Sequence, residues 1–230
     1  MRTWVLHAAA AVPVAGVLLT GCASFLAEQP GTGPDLLADV VANLRSAGSV
    51  RVEGPIANSS DLYDVHVQGD DAVGTLSMGA DYHAAFVALD GEAWFLPPDN
   101  FFTDFGATEE EAAPLRGRYI SLRDGDFRNN WPDSLDDVIE LLPTPDEVAP
   151  EVEVGSLDGK EVWILTSEDG STRLTVEAGS LHHPLTLLVP AETDEGSWGD
   201  PEHTIRFSDV GERRSIVAPE DPLPADVMGS

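Results

Sequence analysis

Few residues in this chain have types and spacings that could do chemistry. Cys22 is the single cysteine among 230 residues. As a free thiol it could be a nucleophile, a metal ligand, a buried core residue or an attachment point. His182 and His183 are adjacent, and neighbouring residues on a strand point to opposite faces, so the pair suits a turn or surface better than one metal ion. Asp124-Gly125-Asp126 with Asn129 and Asn130 suggests a calcium loop, but the ligand spacing and closing glutamate of an EF-hand are absent. Glu109-Glu110-Glu111 reads as a solvated loop or a helix start. The chain has no Gly-x-Ser-x-Gly elbow, no His-Glu-x-x-His, no phosphate loop and no dinucleotide fingerprint. No catalytic residue, metal or cofactor is therefore assigned, and the expectation is a protein that is not an enzyme.

The charge narrows the partners. Forty-one acidic residues face 12 basic ones, a formal net of −29, and Lys160 is the only lysine. Phosphate binding needs clustered Lys and Arg, so nucleic acid is not an expected partner. Basic adsorption onto an anionic bilayer is excluded on the same ground. The acidity reads as a well-solvated surface, with a site for cations or basic partners as the lesser alternative.

The N-terminal stretch gives Cys22 a context. Arg2 is the only charged residue before Glu28, and Trp4 to Leu19 is a short apolar run broken by Pro13 and Gly16. It is shorter than the roughly 20 apolar residues of a membrane span. A positive start, a short apolar run and small residues at its end describe an export signal. Leu19-Thr20-Gly21-Cys22 resembles the lipobox of bacterial lipoproteins. That resemblance implies a diacylglyceryl group on Cys22 and cleavage just before it. The competing reading is an ordinary signal peptide with a chance cysteine. Cleavage would remove Arg2 and no acidic residue, leaving a formal charge of −30. With Cys22 acylated, no thiol would remain for a disulfide, for catalysis or for a metal.

The elements behind it are mostly strands. Residues 1–21 are read as a lipoprotein signal peptide, 22–33 as a tether, 34–219 as one domain and 220–230 as a loose, Pro-rich tail. Leu36, Leu37, Val40, Val41 and Leu44 have helical spacing, with Gly48 as a stop. A second helix is expected from Asp133 or Ser134 to Leu142, ended by Pro143, and a capped turn at 144–147. Period-two runs begin at Ser49, Tyr63, Val73, Tyr82, Glu92, Glu151, Lys160, Ser171, Pro184 and His203, with weaker ones at 118–123 and 215–217. Asp90-Gly91, Asp158-Gly159 and Asp169-Gly170 are hairpin turn signals. Ten or eleven short strands with few helices predict an α+β fold, an antiparallel sheet with helices on one face.

The order of these elements resembles the LolA-like lipoproteins, and within them the LppX/LprG-type envelope lipoproteins. The likeness rests on Ser46-Ala47-Gly48-Ser49-Val50, Ala72 to Ser77, Asp90-Gly91-Glu92-Ala93-Trp94-Phe95, the mid-chain helix, Leu157 to Val162, and Ile205 to Gly211 followed by Ile216 and Pro219. It implies a strongly curved half-barrel with helices packed on its concave side and a cavity for acyl chains. It implies a protein on the extracytoplasmic face of the cell membrane that carries a lipid or acylated ligand. The alternative is a sensor or docking module of the same fold with no transported ligand. The candidate cavity residues are Val65, Val67, Leu76, Met78, Phe86, Trp94, Trp163, Leu165, Leu174, Val176, Leu185 and Leu187. The competing reading is an ordinary closed core, which for any single one of these residues is the favoured one, and a bulge would shift any strand's faces by one residue.

Overall fold

A computed structural model describes residues 31–55, 61–79, 82–123, 131–190 and 203–228. The export signal, the lipobox and most of the tether lie outside these residues, as do Asp124 to Asn130.

Helix α1 (Gly33–Ala47) begins one residue before its expected start. Thr32 caps it: its hydroxyl accepts from the Asp35 amide and donates to the Asp35 carboxylate. The cap satisfies an amide that the first turn leaves without an intrahelical partner. At the other end the Gly48 amide donates to Leu44 O at 2.9 Å. Leu36, Leu37, Val40 and Leu44 are buried, so the apolar stripe faces the sheet.

Eleven strands follow: β1 (Ser49–Pro55), β2 (Leu62–Gln68), β3 (Asp71–Met78), β4 (Tyr82–Leu89), β5 (Glu92–Leu96), β6 (Ile120–Ser121), β7 (Val148–Leu157), β8 (Lys160–Ser167), β9 (Arg173–Glu177), β10 (Pro184–Val189) and β11 (His203–Ser208). They form one antiparallel sheet in the order β6-β5-β4-β3-β2-β1-β11-β10-β9-β8-β7. The sheet is open, with β6 and β7 as its edges. Asp90-Gly91 and Asp158-Gly159 turn their hairpins with positive φ at both residues, the backbone that a two-residue turn needs to match strand twist.

One face of the sheet is apolar from edge to edge. Val52 opposes Val65 on one side and Phe207 on the other. Val65 opposes Gly74, Gly74 opposes Phe86, and Phe86 opposes Phe95. On the far side Leu187 opposes Ile205 and Leu174, and Leu174 opposes Leu165. These residues share one core with the buried side of α1, so this is the concave face and the helices sit within its curve.

Three short helices complete the cover. α2 (Phe101–Asp104) and α3 (Glu109–Ala112) lie in the stretch that periodicity leaves unassigned. Glu111 closes a capping box on Thr108, so the glutamate run is a helix start. α4 (Leu135–Glu140) opens on a capping box between Ser134 and Asp137, and a 3-10 turn spans Pro145–Glu147.

Two expectations change at the C-terminus. Ser215 to Val217 is not a strand. The described stretch from Pro219 to Met228 is not loose either: Leu223 is buried and bridges Ile120 of β6 in parallel. The residues after β11 act as a strap. Gly211 N donates to Ser49 O, Ser49 Oγ to Glu212 O, and Arg214 N to Gln68 Oε1. Arg118 then pairs with Asp221 at 2.9 Å, and the Ser121 amide donates to Leu223 O. At 118–123 only Ile120–Ser121 is a strand.

Candidate functional site

The concave face gathers most of the candidate residues. Val65 and Val67 of β2, Leu76 of β3, Phe86 of β4, Trp163 and Leu165 of β8, Leu174 and Val176 of β9, and Leu187 of β10 are all buried in one cluster. Met78, near the end of β3, is partly buried against it. Leu185 falls in the irregular register between Pro184 and Thr186 and is half-buried. The bulge displaces it from the row that Leu187 keeps.

Trp94 does not belong to this face. It opposes Val87 and Ser121, while Phe95 opposes Phe86 and Ile120. Phe95 is therefore the inward residue of β5 and Trp94 is on the convex side, 6% exposed. Alternation fails here because β5 is apolar at both positions, so period two gives no sign of which side is covered.

Sequence reasoning also misses the cover. The Trp131 ring lies 4.9 Å from that of Phe86. Phe101 contacts Phe95 edge-on at 5.9 Å and Phe102 at 5.4 Å. Over the other half of the face, α1 runs against β7 and β8. The aromatic run at 101–105 was visible as composition, but only the fold shows that it turns back onto β5.

Polar groups on this face are few. Tyr63, on the Val65 face, has a buried hydroxyl with no hydrogen-bond partner among the described residues. Burial pushes its pKa up to about 12, so it stays protonated. Trp163 Nε1 and His182 Nδ1 are likewise buried with no hydrogen bond among the described residues. These two rings touch, with centroids 5.1 Å apart. His182 Nδ1 stands 3.6 Å from Asp39 of α1, and His183 Nδ1 stands 3.8 Å from Glu177. The two histidines thus address different carboxylates. Among the described residues no group of three or more His, Cys, Asp or Glu side chains is placed to share a metal ion.

Two surface clefts are formed by described residues. One, of about 670 Å³, is lined by Gln68, Asp70, Asp71, Asp90, Asp133, Arg213 and their neighbours at one end of the sheet. The other, of about 420 Å³, is lined by Leu141, Asp146, Glu147, Asp169, Thr172 and their neighbours. Neither includes a candidate cavity residue. The arrangement formed by the described residues offers apolar area and shape.

No protein-family model matches the chain, and no curated protein matches it. Among solved structures, LprF from Mycobacterium bovis is 12% identical, over 83% of this chain and 99% of that one, with a TM-score of 0.48. The lipoprotein LppX from Mycobacterium tuberculosis is 13% identical, over 80% of this chain and 99% of that one, with a TM-score of 0.40. The chain is similar to both. At these identities and TM-scores no residue role passes from either protein to this one.

Proposed function

We propose that the protein is a membrane-anchored extracytoplasmic lipoprotein that holds the apolar part of a lipid or acylated ligand between its concave sheet face and the helical cover. The observation that carries this reading is the cover itself. An apolar face eleven strands wide is closed by one long helix and several single turns, rather than by a second sheet. Short helices make few local contacts and open at low cost. Acyl chains entering there gain roughly 25 cal/mol per Å² of apolar surface removed from water. Val65, Val67, Leu76, Met78 and Phe86 would line the slot under Phe101, Phe102 and Trp131. Leu165, Leu174, Val176 and Leu187 would extend it beneath α1.

The anchor follows from Leu19-Thr20-Gly21-Cys22 behind a signal-like segment. Two acyl chains hold a protein stably on a membrane where one does not. A tether of about ten residues between Cys22 and α1 spans at most roughly 35 Å, so the domain would work close to the bilayer. Its acidic surface would keep it off anionic head groups.

A second reading has an observation of its own. The candidate residues are buried in a continuous core, as in a sensor or docking module with no transported ligand. Mass spectrometry of lipids extracted from the purified protein decides between the two. A lipid that co-purifies, together with uptake of a fluorescent acyl probe, supports the carrier. No lipid and no uptake leaves the docking module. The anchor is tested separately: Cys22→Ser should move the exported protein from the membrane to the soluble fraction, and a variant that stays on the membrane would refute it.

A further inference from the structure

Trp163 and His182 mark a place on the concave face where polar atoms are buried without partners. Trp163 is 3% exposed, yet its indole Nε1 has no acceptor among the described residues, and His182 Nδ1, packed beside it, has no hydrogen bond either. A buried polar atom left without a hydrogen bond carries a desolvation penalty, so two on adjoining rings need a reason. The surroundings supply one. Trp163 opposes Val154 on edge strand β7, and Val154 is 61% exposed. Residues 178–183, between β9 and β10, bring His182 over the Trp163 ring and leave Leu181 56% exposed. Two residues of α1, one turn apart, hold that loop. Asn43 Nδ2 donates to Leu181 O at 2.6 Å, and Asp39 stands beside His182.

We propose that loop 178–183 gates one mouth of the acyl slot, and that Trp163 Nε1 and His182 receive the polar end of a neutral amphiphile there. The proposal rests on the lipid-holding reading above and names the chemistry of its mouth. An indole N–H only donates, so its complement is an acceptor oxygen at the junction of chain and head. The acceptor is uncharged, because the Asp39 carboxylate stands 3.6 Å from His182 and the chain carries a formal net charge of −29. The exposed Val154 and Leu181 would meet the first methylenes. Among the described residues, lifting the loop breaks the Asn43–Leu181 hydrogen bond and the Asp39–His182 contact to α1, so the gate can move without unfolding either strand.

The test uses the full chain carrying Cys22→Ser, so that no anchor competes, and two probes. One is 1-monopalmitoylglycerol, a neutral acyl ester. The other is diphenylhexatriene, which has no polar atom. Trp163→Phe keeps an aromatic ring and deletes the donor. Relative to its effect on diphenylhexatriene, it should weaken monopalmitoylglycerol binding about fivefold, the worth of one hydrogen bond. Palmitate should bind the parent chain more weakly than monopalmitoylglycerol. Asn43→Ala should speed diphenylhexatriene uptake by freeing the loop. Equal affinity of Trp163→Phe for the ester, as would follow if water alone meets the indole, overturns the recognition point and leaves the slot intact. An unchanged uptake rate in Asn43→Ala overturns the gate. If neither probe binds the parent chain, the lipid-holding reading itself fails, and this proposal fails with it.

Discussion

The Phe86 and Trp131 rings lie with their centroids 4.9 Å apart, tilted by 37°. Phe86 stands near the middle of the first six strands, and Trp131 lies three residues before Ser134, the N-cap of α4. This contact ties the mid-chain crossing to the sheet. Trp131→Ala should cost about 3–5 kcal/mol, the range for deleting a large buried aromatic. Urea unfolding checks it. A loss under 1 kcal/mol would mean that the cover contributes little to the core.

Gly74 makes the Phe86 position possible. A Cβ built on Gly74 would stand 2.5 Å from Asp64 O and 3.0 Å from Phe86 Cε1. The glycine is needed for the close approach of the neighbouring strand and the ring. Gly74→Ala should destabilise by about 1–3 kcal/mol, as overpacking does, with the aromatic near-UV circular dichroism altered. An unchanged denaturation midpoint would show that β3 can shift to admit a methyl.

His66 gives the fold an acid sensitivity. It lies on the convex side of β2, is 2% exposed, and neither ring nitrogen makes a hydrogen bond of good geometry among the described residues. Burial holds its pKa below the usual 6.5. Arg214 adds to that, and Asp209 and Glu212 oppose it. The folded chain therefore keeps the ring neutral where the unfolded chain begins to bind a proton. Stability should be fully present above about pH 7 and should fall as pH drops through 6.5, by up to about 1.4 kcal/mol per pH unit for one proton. Chemical denaturation from pH 8 to 5 reads the slope. His66→Leu should flatten it, and an identical slope in that variant would place its origin elsewhere.

The box that opens α4 predicts a smaller effect at lower pH. Burial alone would raise the Asp137 pKa, but hydrogen bonds from Ser134 and Asp133 hold it low. Its contribution is present above the ordinary carboxylate range and is lost as pH falls through the depressed value. Ser134→Ala should cost about 1 kcal/mol at neutral pH and less under acid conditions. Equal loss at both would exclude the capping hydrogen bond as its source.

The strap is testable by truncation. Ending the chain after Pro219 removes the Ile120–Leu223 bridge and the Arg118–Asp221 pair. It also bares the two-residue edge of β6. An exposed edge invites pairing with another chain, so the truncated protein should self-associate in sedimentation. A monomer of unchanged stability would show that the strap is ornamental.

Much of this was legible in the residues, and the exceptions share a cause. The helix through Leu36, Val40 and Leu44 and the hairpins at Asp90-Gly91 and Asp158-Gly159 follow from period and turn chemistry, which are local. Trp94 was misplaced because β5 is apolar on both sides, and only the partners Val87 and Ser121 reveal its face. Trp131, Phe101 and Phe102 cover the sheet through contacts that no spacing encodes. The docking of Leu223 defies the composition around it, since prolines and acids usually mark a loose end. The opening motif at Cys22 reads clearly as chemistry, yet nothing in the strands depends on it.

Sheet connectivity has a kinetic consequence. Every neighbouring pair of strands is adjacent in sequence except β1 and β11. The first six strands can assemble outward from β1 as one meander, and the last five can assemble inward from β7 as another. Neither needs a distant segment. The junction where Arg51, Val52 and Glu53 meet Ser208, Phe207 and Arg206 must instead close most of the chain into a loop, which makes it the entropically costly encounter. Folding should thus be paced by the seam, and substitutions at Val52 or Phe207 should slow refolding more than equally destabilising changes within either meander.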